Sequence, residues 1–295
     1  MPTADYHLLD VFTEAAFSGN QLAVLVDPPP MSTTAMQNLA AEFNLSETIF
    51  VSSPEVEGGS WTTRIFTPGS ELPFAGHPTI GASVLLAQLG RVGDEVVLAE
   101  GAGDVAVTID RSGPVTRATL RSPRLPEHLE VVDPEVVTGV LGLDLDDLEH
   151  GKGPSGWSCG VGFAVVPLRD LDALGRCEVD LGRWMREMAG NGPDHLYPIV
   201  VDTLDPSRVR VRMFAPGMGI VEDPATGAAA AALAGHLLGR STERGPFAWT
   251  LEQGIEMGRP STIEVAARVE NGQLHEVTVG GPAVVVGSGT ITVPT

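Results

Sequence analysis

Apolar and polar positions alternate in short runs broken by Gly, Pro and Asn, and stretches of helical period interrupt them. Residues 6–12 (YHLLDVF) and 21–27 (QLAVLVD) read as strands on either side of a small-residue loop, TEAAFSGN. The prolines at 28–30 end the second strand. Ser32 is placed to cap a helix over 33–43, where Met36, Leu39, Ala40 and Phe43 recur at helical spacing. Strands follow at 48–51 and 61–67, the latter stopped by Pro68-Gly69. A helix then runs from His77-Pro78 to about Leu89, with proline in a first turn where no intrahelical partner for its N–H is lost. From 95 to 122 the pattern predicts three strands (EVVLAE, GDVAVTID, VTRATLRS). The stretch 121–129 has two prolines and no period, and reads as a linker.

The second half repeats this plan. Arg212–Gly217 (RMFAPG) matches Arg64–Gly69 (RIFTPG) in four of six positions at an offset of 148. Gly19–Val24 (GNQLAV) is echoed by Gly160–Val165 (GVGFAV) at an offset of 141. Each Arg-containing segment precedes a helix of small apolar residues, GHPTIGASVLL in one half and DPATGAAAAAL in the other. Between the echoes the halves carry corresponding helices, 33–43 and about 180–190, and strands, 48–51 and about 196–202. Two echoes in the same order argue for an internal duplication. The fold class that follows is α/β (α+β), with two pseudo-symmetric domains, residues 1–122 and 123–295, and room for the last strand to return to the first domain. Such a pair has a natural ligand cleft between its halves.

Composition narrows the function. With 38 acidic and 18 basic residues the net charge is −20, a surface that repels phosphate backbones and anionic headgroups, so neither nucleic acid nor membrane is an expected partner. The N-terminus lacks a basic segment followed by an apolar one, and the longest apolar run, Gly227–Gly235, is far short of a span. The chain reads as cytoplasmic and reduced. Its seven histidines are scattered, with no i,i+4 pair, so no metal is expected. There is no G-x-S-x-G, no P-loop and no dinucleotide fingerprint, and the single lysine, Lys152, sits in a Gly-rich loop. No cofactor is expected.

The remaining chemistry lies in four segments, each open to a plainer reading. Glu47, between a helix end and an apolar strand, is either a surface residue at a strand start or a partly desolvated carboxylate suited to act as a base. His77 is either a helix cap or an acid/base partner. Asp223 precedes Pro224 and is a helix N-cap, a catalytic group, or both, with Glu222 a weaker candidate. Asn20 either shapes the Ser-Gly-Asn turn or presents its amide to a ligand. The segments Ala75-Gly76-His77 and Ala225-Thr226-Gly227-Ala228 are either tight turns before buried helices or two helix N-termini that together hold an anion such as a carboxylate.

Taken together, DVFTEAAFSGNQLAV, NLSETIFV, RIFTPGSELPFAGHPTIGAS and RMFAPGMGIVEDPATGAAAAAL resemble the phenazine biosynthesis PhzF isomerase family in order and spacing over most of the chain, least over about 120–158. The resemblance implies the diaminopimelate-epimerase-like fold, in which each domain curls a mostly antiparallel sheet around a central helix, here about 77–89 and 226–238. It also implies homodimers. The family's prototype isomerises trans-2,3-dihydro-3-hydroxyanthranilate without metal or organic cofactor. By this resemblance Glu47 of NLSE moves a proton between substrate carbons, and His77 of GHP and Asp223 of EDPATG assist. Asn20, Ser46, Gly76, Thr226, Gly227 and Ala228 border a small carboxylate substrate. Two departures stand out. Ala228 replaces a common substrate-binding serine, removing a hydrogen bond worth roughly 0.5–1.5 kcal/mol, and Gln21 replaces a proline. The two-cysteine epimerases of this fold are a poor match, because Cys159 and Cys177 lie outside both helix starts. Besides isomerisation, the residues leave open epimerisation, elimination or cyclisation by the same base, and a binding protein without turnover.

Overall fold

The computed structural model describes residues 2–240 and 246–294. They form two compact units, Met1–Pro123 with Val279–Thr295, and Arg124–Thr278. The first unit carries β1 (Thr3–Val11), β2 (Asn20–Val26), α1 (Thr33–Phe43), β3 (Glu47–Ser52), β4 (Trp61–Phe66), β5 (Glu71–Leu72), α2 (Gly76–Gln88), β6 (Glu95–Glu100), β7 (Gly103–Asp110) and β8 (Arg117–Arg121). The second carries β9 (Glu127–Leu129), α3 (Pro134–Val140), β10 (Ser155–Ser158), β11 (Gly162–Pro167), α4 (Leu171–Arg176), α5 (Leu181–Glu187), β12 (His195–Val201), β13 (Arg208–Val211), α6 (Gly227–Arg240), β14 (Pro246–Gln253) and β15 (Ser261–Glu270). The long β16 (Gln273–Thr292) begins in the second unit and continues into the first from Val279.

The duplication is visible in the strand pairings. Along β1-β2-β3-β4-β6-β7 the pairs run antiparallel, parallel, antiparallel, parallel, antiparallel. Along β10-β11-β12-β13-β14-β15 they run in the same order. Each parallel pair needs a crossover connection. In the first unit α1 joins β2 to β3 and α2 joins β4 to β6; in the second, α4 and α5 join β11 to β12, and α6 joins β13 to β14. In the first unit β16 lies next to β8 and also pairs with β1, so the sheet curls back on itself.

α2 packs against β1, β2, β3, β7 and β8 and is buried at every residue from Gly76 to Ala87. A helix that is apolar all round has no solvent face. Its two hydroxyls are satisfied internally, Thr79 Oγ1 donating to Ala75 O at 2.8 Å and Ser83 Oγ to Thr79 O at 2.8 Å. α6 plays the same part in the second unit, against β9, β10, β11 and β15. Both central helices use glycine to approach the sheet. A Cβ at Gly81 would lie 2.5 Å from Leu22 Cδ2, and one at Gly235 would overlap the Trp157 ring.

The predicted α1 is found with its cap, the Ala35 N–H donating to Ser32 Oγ at 3.2 Å, and it ends at Asn44 in a left-handed conformation. Several readings of the sequence need correction. The expected linker 121–129 contains β9, paired with β10 through Leu129 and Gly156. The helix expected at about 180–190 is the shorter α5. The helices α3 and α4, seven and six residues long, have no counterpart in the sequence pattern, because such runs are too short to show a period. Among the described residues no helix is long and apolar enough to cross a membrane.

The close approach at Gly235 is testable. Gly235→Ala pushes a methyl into a rigid indole and should lower stability by about 1–3 kcal/mol, read as a lower urea midpoint. An unchanged midpoint would show that Trp157 yields freely.

Candidate active site

In the first unit, three segments distant in sequence meet. Glu47 is the first residue of β3 and Asn20 the first of β2; the two strands are parallel, with Leu22 opposite Glu47. β4 runs antiparallel to β3 and ends with Phe66 opposite Thr48, so the chain emerges beside Glu47 and enters α2 at Gly76. His77 therefore stands in the first turn of a buried helix, with Nδ1 3.0 Å from Glu47 Oε2. The Asn20 amide nitrogen is 3.4 Å from the same Nδ1. Nδ1 thus stands between the Glu47 carboxylate and the Asn20 amide. Glu47 is only 7 % exposed, so the surface reading of this residue fails. The capping reading of His77 fails as well, because the cap position of α2 is Ala75 and the ring turns to Glu47 instead. Gly76 is the buried first residue of α2, and Ser46 is half-buried in the turn before Glu47.

Asn20 is set by a strained loop. Phe12, Phe17 and Gly19 all have positive φ, 64°, 67° and 68°. The buried Asp10 accepts the Phe17 N–H at 2.6 Å, and the Thr13 and Ser18 hydroxyls are 2.6 Å apart. A Cβ at Gly19 would collide with Val11 O, so the turn requires glycine.

In the second unit, Asp223, Thr226, Gly227 and Ala228 cluster at the start of α6. The residue immediately before the helix is Thr226, not Asp223, which corrects the N-cap reading of the aspartate. The Thr226 hydroxyl donates to Asp223 Oδ2 at 2.6 Å. Gly227 is buried and Ala228 half-buried. Behind the cluster stands Gln253, 0 % exposed, which no sequence motif singles out. Its amide nitrogen donates to Asp223 O at 2.7 Å and to Thr226 Oγ1 at 3.0 Å, and its oxygen accepts the Thr226 N–H at 3.2 Å. Tyr197 Oη lies 3.5 Å from that oxygen, and burial raises the Tyr197 phenol pKa.

Glu222, the weaker candidate, has a structural use. It forks with Arg212 through two 2.8 Å hydrogen bonds, while Arg212 also donates to the Leu174 and Cys177 carbonyls and lies over the Phe214 ring. The first repeat does the same: Arg64 forks with Glu71 at 2.7 and 2.6 Å and lies over Phe66. The echoed RxF motif is thus a shared scaffold for the loop before each central helix. The repeats differ at the position of Glu47. The second-unit counterpart of the Leu22–Glu47 register is Phe163–His195, with Glu47 and His195 again at an offset of 148. Burial lowers the His195 pKa, and a 3.5 Å contact with Asp194 opposes that shift.

The family described as phenazine biosynthesis-like protein (PhzC-PhzF) matches residues 9–289. A relative named only as an uncharacterised isomerase, from Mesorhizobium japonicum, is 39 % identical over 302 residues, covering 99 % of both chains. The trans-2,3-dihydro-3-hydroxyanthranilate isomerase of Pseudomonas chlororaphis is 33 % identical over 297 residues, covering 97 % of this chain and 98 % of its own. The crystal structure of a PhzF-family protein of Bacillus anthracis shares the fold with a TM-score of 0.87 at 24 % identity, covering 99 % of this chain and all of that one.

The Asp223–Thr226 contact yields a direct test. A hydrogen bond to a carboxylate contributes about 1.5–3 kcal/mol. Thr226→Val should therefore cost stability of that order in urea unfolding, and a loss below about 0.5 kcal/mol would show that the hydroxyl does not hold the aspartate.

Proposed function

Since the chain belongs to the phenazine biosynthesis-like family, we propose that it is an isomerase in which Glu47 takes a proton from one carbon of a small carboxylate substrate and returns one to another. The observation that carries this is the buried Glu47–His77 contact at 3.0 Å, between residues of two separate elements, β3 and α2. A carboxylate held away from water beside an imidazole suits general base and then general acid catalysis. In the first step the Glu47 carboxylate accepts the proton and the C–H electron pair passes into the substrate's π system. In the second, the Glu47 acid, its proton having exchanged with solvent, delivers a proton to another carbon, so in ordinary water the product has the mass of the substrate. His77 holds Glu47 in place through Nδ1. The first-turn N–H groups of α2, beginning at Gly76, have no intrahelical acceptors and suit a substrate carboxylate. In this reading Asn20 and Ser46 contribute polar contacts, and Asp223, Thr226, Gly227 and Ala228 of the second unit also bind the substrate, in a cleft between the two halves. The reading extends to a homodimer working in the cytoplasm.

Ala228 bears on the substrate. Where the resembling family often has serine, this chain offers a methyl group, so the substrate is a carboxylate that lacks the polar group such a serine would meet, or holds it elsewhere. The same feature favours a second reading, elimination, epimerisation or cyclisation by the same base; loss of the mass of one water from the product identifies elimination.

In heavy water, with trans-2,3-dihydro-3-hydroxyanthranilate and a panel of small cyclic amino and hydroxy acids, one substrate should take up deuterium at carbon. Glu47→Gln should lower that turnover by at least about 10²-fold with KM little changed. Wild-type turnover in the Glu47→Gln variant would overturn the assignment.

A further inference from the structure

The two repeats share a second feature, away from the RxF motif. The strand that follows each central helix ends in a buried polar side chain and a glycine: Glu100-Gly101 at the end of β6, Gln253-Gly254 at the end of β14. Gln253 reaches the first turn of α6 through Asp223 O and Thr226. Glu100 reaches the first turn of α2, its Oε1 lying 2.6 Å from Thr79 Oγ1, which is itself 2.8 Å from Ala75 O.

The hydroxyl of Thr79 bears on the form of Glu100. Thr79 has one hydroxyl proton and two oxygen neighbours. Ala75 O can only accept, so if it receives that proton the one between Thr79 and Glu100 must come from the carboxyl. Among the described residues Glu100 Oε2 is buried with no hydrogen-bond partner, a costly position for a charged oxygen and a tolerable one for a carbonyl. We propose that Glu100 and Gln253 are equivalent positioning residues, each holding the first turn of its repeat's central helix, with Glu100 serving as an uncharged carboxylic acid in the role that an amide fills in the other repeat. Burial, only partly offset by hydrogen bonds with Thr79 and the Ala75 backbone, raises the Glu100 carboxyl to about 8. The charged groups around it are committed elsewhere. Arg64 of β4 and Glu71 of β5 line the same 540 Å³ cavity and fork with each other, His77 of α2 contacts Glu47, and Asp104 of β7 is exposed.

The functional weight of this inference rests on His77 and Asp223 being working residues. Its test needs no turnover, so its failure is distinguishable from failure of the Glu47 assignment. A carboxyl whose folded pKa is raised from 4.5 to about 8 contributes fully below about pH 4.5, and that contribution declines until about pH 8. Thermal midpoints of wild type, Glu100→Gln and Glu100→Ala would be measured from about pH 5 to 9. The Glu100→Gln variant should match wild type near pH 5, gain on it progressively to about pH 8, and hold that advantage above. His77 imidazole resonances should show a transition near pH 8 in wild type and none in Glu100→Gln, while Glu100→Ala shifts them throughout. A difference between wild type and Glu100→Gln that is constant across the range, or a Glu100→Gln variant as unstable as Glu100→Ala near pH 7, would overturn the proposal.

Discussion

The parallel register that sets Leu22 opposite Glu47 is the constraint on which the first-unit site depends. Two parallel strands start at the same end of their sheet, so Asn20 and Glu47 begin β2 and β3 side by side. The antiparallel β4 brings the chain back to that end before α2 starts. The convergence of three sequence-distant motifs on His77 follows from strand direction alone. A slip of one residue would turn Glu47 to the other face of the sheet and break the 3.0 Å contact. The crossover α1, capped by Ser32 and closed by Asn44, is what makes a parallel pair possible there.

Duplication supplied the frame twice, and the two copies differ in the polar residues they carry at equivalent positions. Both repeats keep the order of strand pairings, the buried central helix, the Arg–Glu fork over a phenylalanine, and a polar side chain closing the helix's first turn. The register position of Glu47 became His195, and the second copy gathered its polar groups at Asp223 and Thr226 instead. Buried polar groups are tolerated only when their bonds are made. Gln253 meets that condition with donors and acceptors used together, whereas an uncharged Glu100 lowers the cost of leaving Oε2 unpaired.

Much of this is legible in the sequence. The period and cap of α1, the limits of β6 and β7, and the RIFTPG/RMFAPG echo each depend on neighbours in the chain, so local pattern carries them. The family resemblance rests on such local motifs and agrees with the profile match across residues 9–289. The burial of Glu47 is not legible, because it depends on β2 and α2 closing over a residue that local spacing leaves at a strand start. Glu100 and Gln253 look like ordinary polar residues before a glycine turn. Only long-range packing brings them to helices that start more than twenty residues earlier in the chain. Asp223 reads as a cap because Asp-Pro suits one, whereas the helix begins after Thr226.

If Glu47 works by position as well as by charge, shortening its side chain by one methylene while keeping the carboxylate is the most direct test. In Glu47→Asp the carboxylate withdraws by roughly 1 Å, a displacement that costs about 10²-fold in rate where geometry governs the step. Deuterium incorporation at substrate carbon should fall by about that factor, while substrate affinity stays within a few-fold of wild type. Incorporation at the wild-type rate in Glu47→Asp would contradict the account.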